Sequence, residues 1–286
     1  MKDGNETAST WTTVISAKSK WFDLNLRELW QYRDLIGIFV WRDFVSVYKQ
    51  TVLGPLWFLL QPLLTTIVFT VIFGSVARLP TDGLPPFLFY LSGVVPWRYF
   101  ADCLNNTSNT IISNAHIFGK VYFPRLAVPV SVVISNLISF GIQFLLFLVF
   151  FFYYWQESDI IHPQSTLLLL PVLVLQMAAL GLGAGIIVSS MTTRYRDLAH
   201  LVNFGVQLWM YATPIVYPSS ALNDQWRFLF LLNPMAPVIE VFRSSFLGTG
   251  GLDVASWGIS LCITACVLLV GLLLFNRVEK TSMDTV

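Results

Sequence analysis

Charge is scarce in this 286-residue chain. Asp, Glu, Lys and Arg together make up 12% of it, against roughly a quarter in a soluble domain, and so thin a polar coat excludes most water-soluble classes. Disorder is excluded too, because a chain with 23 Phe, 10 Trp and 10 Tyr collapses in water. The two signs nearly cancel at a net charge of +1, and no Lys/Arg cluster interleaved with aromatics stands outside the apolar runs, so a nucleic-acid partner is set aside. Cysteine is limited to Cys103, Cys262 and Cys266; the last two share one apolar run, and all three read as small core residues and not as a disulfide framework.

The marks of catalysis are missing as well. His116, His162 and His200 lie far apart and belong to no His-Glu-x-x-His pattern, and there is no Gly-x-Ser-x-Gly elbow. Glu157-Ser158-Asp159 reads as a solvated acidic loop. Gly119-Lys120 has Asn114 where a phosphate-binding loop needs glycine, so if ATP powers this protein, the nucleotide site is on another chain. Carboxylates inside apolar runs, which ion coupling normally requires, are few: Asp102 stands four residues after Arg98 and Glu240 three before Arg243, spacings that allow internal salt bridges. No apolar h-region precedes a small-residue cleavage site near residue 25, so the amino terminus is expected to be retained.

What is present is apolar length. Hydrophobic residues make up 55% of the chain and the mean hydropathy is +0.67. Stretches 54–76, 86–112, 127–155, 166–191, 201–217 and 254–275 reach or approach the roughly 20 residues that a helix needs to cross a bilayer. The expected fold is therefore an all-α integral membrane protein with a six-span domain over 54–275. Residues 226–248 are apolar but broken by Asn233-Pro234 and Pro237, which predicts two re-entrant half-helices. Residues 26–53 place Leu26, Trp30, Ile36, Val40, Phe44 and Tyr48 mostly three or four apart, predicting an amphipathic helix at the headgroup level. Residues 1–25 and 276–286 read as tails. Of the 17 Lys and Arg, all but Arg78, Arg98, Arg227 and Arg243 fall on one side if the amino terminus is inside, so both termini are expected to be cytoplasmic. Gly181, Gly183, Ala184 and Gly185 read as a surface for close helix packing.

The loop at 113–125 is short, inside and partly apolar, and Ile117, Phe118, Val121 and Phe123 are expected to need cover from a partner. At these residues the chain resembles the permease subunits of type-2 ABC exporters, in the branch that exports O-antigen, capsule and teichoic-acid chains. The matching stretches are Arg42-Asp43 with Tyr48-Lys49-Gln50, Leu53-Gly54-Pro55-Leu56-Trp57 with Gln61-Pro62, Ser92-Gly93 with Pro96-Trp97 and Phe100, and Asn114 with Lys120-Val121-Tyr122-Phe123-Pro124-Arg125. Tyr195-Arg196-Asp197, Thr213-Pro214-Ile215-Val216-Tyr217 and Asn233-Pro234-Met235-Ala236 with Glu240 and Arg243 follow in family order. The resemblance implies a homodimer of permease chains in the bacterial cytoplasmic (inner) membrane, above two ABC ATPase subunits that carry the ATP and Mg. It makes 113–125 the coupling helix, with Asn114, His116, Ile117, Phe118, Lys120, Tyr122, Phe123 and Arg125 meeting the ATPase. Asn233, Pro234, Glu240 and Arg243 would then belong to an outer gate.

A conduit for a glycan should offer flat aromatic faces and few fixed charges. Trp57, Tyr90, Trp97, Tyr99, Phe100, Trp209, Tyr211 and Tyr217 are the candidates, against the alternative of interfacial belts. Arg27, Arg33, Arg42 and Lys49 could attract the phosphate head of a lipid-linked substrate. The alternatives left open are a drug or small-lipid exporter of the same superfamily, an integral membrane acyl- or glycosyltransferase working through Glu157, Asp159 or His162, and an ion-coupled carrier.

Overall fold

The computed structural model describes residues 26–49, 53–118, 123–192, 197–221, 224–249 and 253–283, and among them the regular elements are all helical. In order they are α1 (Leu26–Gln31), α2 (Arg33–Lys49), α3 (Leu56–Phe69) continued by a π-helical turn (Thr70–Val76), α4 (Pro86–Ser108), α5 (Thr110–Ser113) and α6 (Ala115–Phe118). Then come α7 (Ala127–Glu157), a 3-10 turn (Ser165–Leu169) running into α8 (Leu170–Thr192), α9 (Leu198–Tyr211), α10 (Asp224–Leu232), α11 (Met235–Leu247) and α12 (Val254–Met283).

Among the described residues, four segments are long and apolar enough to cross a bilayer: Leu56–Val76, Ala127–Glu157, Ser165–Thr192 and Val254–Arg277. The other two expected crossings are helices of a different kind. α4 has 23 residues, about 34 Å at 1.5 Å per residue, but Arg98, Asp102, Asn105 and Asn106 dilute its apolar character. α9 has 14 residues, about 21 Å, short of a hydrocarbon core of roughly 30 Å. It stops at Tyr211 ahead of Pro214, whose ring cannot continue a helix.

α4 is the spine. Leu88, Phe89, Tyr90, Leu91, Val95 and Phe100 are fully buried, and α3, α7, α8, α9 and α11 all pack against this helix. α8 comes close enough only because it carries glycine. A Cβ at Gly181 would lie 2.6 Å from Cys103 Cβ, and one at Gly185 2.5 Å from Thr107 Cβ. Gly183 faces the opposite neighbour, where a Cβ would meet Leu268 Cα of α12 at 2.7 Å. The small-residue run therefore seats α8 between α4 and α12, as its composition suggested.

Residues 226–248 form α10 and α11 with the break at Asn233-Pro234. In α11 every residue except Glu240 is buried. The helix ends at Gly248, whose φ of 77° suits a left-handed C-cap and whose missing Cβ leaves room for the His162 carbonyl, 2.5 Å from where that Cβ would be. α10 instead exposes Trp226, Phe228, Leu229 and Leu232.

The expected apolar stripe of the amino-terminal helix is displaced. Phe39 is buried with Phe123, Ala127 and Val128, and Leu29, Tyr32, Leu35 and Ile36 pack against them. Trp30, Ile38 and Trp41 are 70%, 63% and 68% exposed on the other side. The segment is thus apolar on two faces, one sealed by the start of α7 and one open, because its aromatic residues outnumber the positions that a single stripe can hold.

Candidate functional site

The turn between α4 and α7 is held by its own chain. The Phe123 ring lies 5.7 Å from those of both Phe39 and Phe118, and Ile117 and Phe118 pack onto the same cluster. Arg125 places its guanidinium 5.5 Å from the Phe118 ring centre. The Asn114 amide donates to the Thr110 carbonyl at 3.0 Å and its oxygen accepts from Arg42 at 3.5 Å. The expectation that Phe123 needs cover from another protein is corrected, because α2 and the start of α7 bury it, while Ile117 and Phe118 are only half-buried. α6 is a single turn of four residues. Lys120, Val121 and Tyr122 lie outside the described residues, and of His116 only the backbone is described.

Of the basic residues assigned to a head group, the described side chains have separate local surroundings. Arg33 is 3.9 Å from the exposed Asp34, Arg42 is paired with Asp43 at 2.8 Å and sits over the Phe39 ring at 4.8 Å, and Lys49 is exposed. Of Arg27 only the backbone is described. Arg42 is therefore a structural clamp between α2 and Asn114.

The candidate channel aromatics divide. Tyr90, Trp97, Tyr99 and Phe100 are 0 to 4% exposed in the core around α4. For these four the expectation of a lining is corrected, because α8, α9 and α7 cover that side of the helix. Trp97 and Phe100 meet Trp209 edge-on at 5.9 and 5.2 Å, and Tyr99 meets Phe140 at 5.0 Å. Trp57 and Tyr211 are 40% and 50% exposed. Trp209 and Tyr217 reach an open cleft of about 510 Å³ with Ala212, Trp226, Phe230 and Asn233.

Asn233 is the hub beside that cleft. Its oxygen accepts from Trp209 Nε1 at 3.0 Å and from the Met235 backbone N–H at 3.1 Å. Its amide donates to the Thr213 hydroxyl at 2.9 Å and the Ala212 carbonyl at 3.3 Å. One side chain thus ties the end of α9 to the start of α11. The Pro234 carbonyl accepts from Ser260 at 2.6 Å, Ser260 accepts from Gln176 at 2.7 Å, and Gln176 accepts from Trp257 at 2.9 Å. A polar relay therefore joins the same turn to α8 and α12.

Arg243 is 5% exposed, with its guanidinium 3.8 Å from the Phe89 ring centre, Nε 3.2 Å from the Ser92 hydroxyl and one terminal nitrogen 3.4 Å from the Ile215 carbonyl. It crosses from α11 to α4 and does not form the expected salt bridge with Glu240. The Arg98–Asp102 bridge does form, at 2.9 Å. Among the described residues no three His, Cys, Asp or Glu side chains converge as a metal site.

Residues 34–247 match the ABC-2 type transporter family. The chain belongs to it. It is 34% identical over 223 residues to the O-antigen export system permease protein RfbA of Myxococcus xanthus, covering 77% of this chain and 83% of that one. It is 31% identical over 247 residues to RfbA of Klebsiella pneumoniae, covering 86% and 92%. To the polysialic acid transport protein KpsM of Escherichia coli it is 22% identical over 251 residues, covering 85% and 93%. In this ABC-2 type transporter the cleft residues Trp226 and Phe230 and the relay residues Gln176, Trp257 and Ser260 escaped the sequence reading. An isolated Gln in an apolar run was the one available signal for the relay, since such a group must find a partner when buried.

Proposed function

We propose that this chain is the membrane-spanning subunit of an ATP-driven exporter of lipid-linked polysaccharide, of the O-antigen, capsule or teichoic-acid kind, in the bacterial cytoplasmic membrane. The observation that carries the reading is the reach of the alignments: 83% and 92% of the two RfbA permeases are covered. Two copies would form the conduit and two ATPase subunits, holding ATP and Mg, would dock at residues 114–125. In this reading α4 and α9 complete six crossings, both termini are cytoplasmic, and α10 and α11 dip into the outer side as a gate.

The packing supplies a mechanical route. A push on 114–125 meets Phe123 and Phe118, which are locked to α2 and to the start of α7, so the force passes into α7 and, through α5, into α4. At the far end Asn233 couples α9 to α11, and the relay through Gln176 and Ser260 couples that turn to α8 and α12. The aromatic cleft of Trp209, Tyr217 and Trp226 suits the C–H faces of sugar rings, which stack on flat apolar surfaces.

The test is reconstitution of the chain with its ATPase in vesicles. ATP-dependent movement of a lipid-linked glycan, and crosslinking of a Lys120→Cys variant to the ATPase, are expected. ATPase stimulation by hydrophobic drugs and not by lipid-linked glycan would favour the drug-exporter alternative and overturn the substrate assignment.

A further inference from the structure

We propose that the side of α4 turned away from its core is a hydrated wall that binds a neutral, polyhydroxylated chain, built from Gln61, Arg98, Asp102, Asn106 and Asn136. Positions 98, 102 and 106 stand four apart and stack on one helix face, while Trp97, Phe100, Cys103 and Leu104 are buried in the core. Arg98 donates from Nε to Asp102 at 2.9 Å and from a terminal nitrogen to the Gln61 amide oxygen of α3 at 2.7 Å. The Asn106 amide donates to Asn136 of α7 at 3.1 Å. These groups are not sealed in: the side chains of Arg98 and Asp102 are 40% and 27% exposed, and Gln61 and Asn106 are exposed.

Depth makes this unusual. Arg98 lies about 18 Å along α4 from Pro86 at 1.5 Å per residue, near the middle of the bundle. A half-open ion pair flanked by amides is costly against acyl chains, and such groups face a protein interior or a water-filled cavity. Elsewhere the same bundle shows what its lipid-facing surface looks like: Leu145, Val149 and Leu175 are 62%, 66% and 69% exposed on α7 and α8. The polar strip is the contrast. It runs from mid-bundle to the end that carries α2 and α6.

The donor and acceptor set defines the ligand. Arg98 and Asp102 cancel in charge, so the strip has no net charge with which to trap an anion, and three amides each offer both donors and acceptors. Hydroxyl groups, which also donate and accept, fit that set; a phosphate does not. The identity of the ligand as a glycan rests on the export reading above, whereas the hydration of the wall does not.

The experiment uses the full chain with its ATPase partner in membrane vesicles, with Cys262→Ala and Cys266→Ala as background, since Cys103 is buried and those two are exposed. Gln61→Cys, Asn106→Cys and, as a lipid-facing control, Leu145→Cys are then treated with a charged, water-soluble thiol reagent or a lipid-soluble maleimide, counting only assembled complexes. The first two variants are expected to react with the charged reagent, with loss of that labelling when a neutral dextran oligosaccharide is present and none lost to inorganic phosphate; the control reacts only with the maleimide. Labelling of Gln61→Cys and Asn106→Cys by the maleimide alone, or by neither reagent, overturns the wall. Labelling that dextran leaves unchanged, or that phosphate blocks, overturns the ligand. Glycan transport by the unaltered complex is measured in parallel: if it persists while the labelling fails, only this proposal falls, and if it is absent while the wall is hydrated, the export reading falls.

Discussion

Asn233 is the residue on which most depends locally, because it satisfies two donors and two acceptors with one amide. Asn233→Ala strands Trp209 Nε1 and the Met235 N–H, and a buried polar group without a partner costs about 1 to 3 kcal/mol. The expected loss is about 2 to 4 kcal/mol, after some rescue by water from the cleft, read as a lowered thermal midpoint of the purified complex. Asn233→Asp keeps the acceptor but has no N–H for the Ala212 carbonyl and buries a charge in a 7% exposed site, so it should not restore the midpoint. Arg243 makes a second residue-level prediction: Arg243→Lys does not restore the fold, because a single ammonium cannot reach Ser92 and the Ile215 carbonyl while covering Phe89 with a flat face. A thermal midpoint equal to that of the unaltered chain would contradict this. Sequence reasoning singled out both residues but assigned Arg243 to Glu240 from spacing alone. Spacing along a helix reports neighbours on that helix, and Arg243 found its partners on α4 and beyond α9.

Elements were legible where glycine or proline carried the signal. The close approach of α8 to α4 could be read from Gly181 and Gly185, and it yields a sharp test: Gly185→Ala puts a methyl 2.5 Å from Thr107 Cβ and should cost about 2 to 3 kcal/mol by overpacking. Gly141 on α7 has nothing within 4 Å of a new Cβ, so Gly141→Ala should be neutral or stabilise by up to about 1 kcal/mol. Equal midpoints for the two variants would refute the packing scheme. The helix break at Asn233-Pro234 was legible for the same reason, whereas the expected crossing over 201–217 ran through Pro214 and α9 stops at Tyr211. The packed face of α2 was not, because Ile36, Ile38, Phe39, Val40 and Trp41 crowd the helix and periodicity alone cannot choose between two apolar sides. The contact of Phe39 with Phe123 decides it. Phe123→Ala is therefore expected to free α2 and the 114–118 turn together, seen as faster amide hydrogen exchange in both segments, whereas Phe123→Leu retains protection.

For the whole molecule, composition alone pointed to an all-helical membrane protein, and among the described residues four spans are long and apolar enough to stand on that argument. α4 and α9 fall outside it for one physical cause each, polar side chains in the first and a proline stop in the second. The aromatic lining was misplaced on α4 because a sequence shows that Tyr90, Trp97, Tyr99 and Phe100 are aromatic but not which side of the helix the bundle covers. In the proposed function, this ABC-2 type chain conducts a lipid-linked polysaccharide only when a separate ATPase drives it. The most direct measurement is glycan translocation in proteoliposomes containing the chain alone, the chain with its ATPase and ATP, and the chain with an ATPase unable to hydrolyse ATP. Translocation in the second preparation alone is the predicted result; sustained translocation by the chain unaided, or none with a hydrolysing partner, would contradict it.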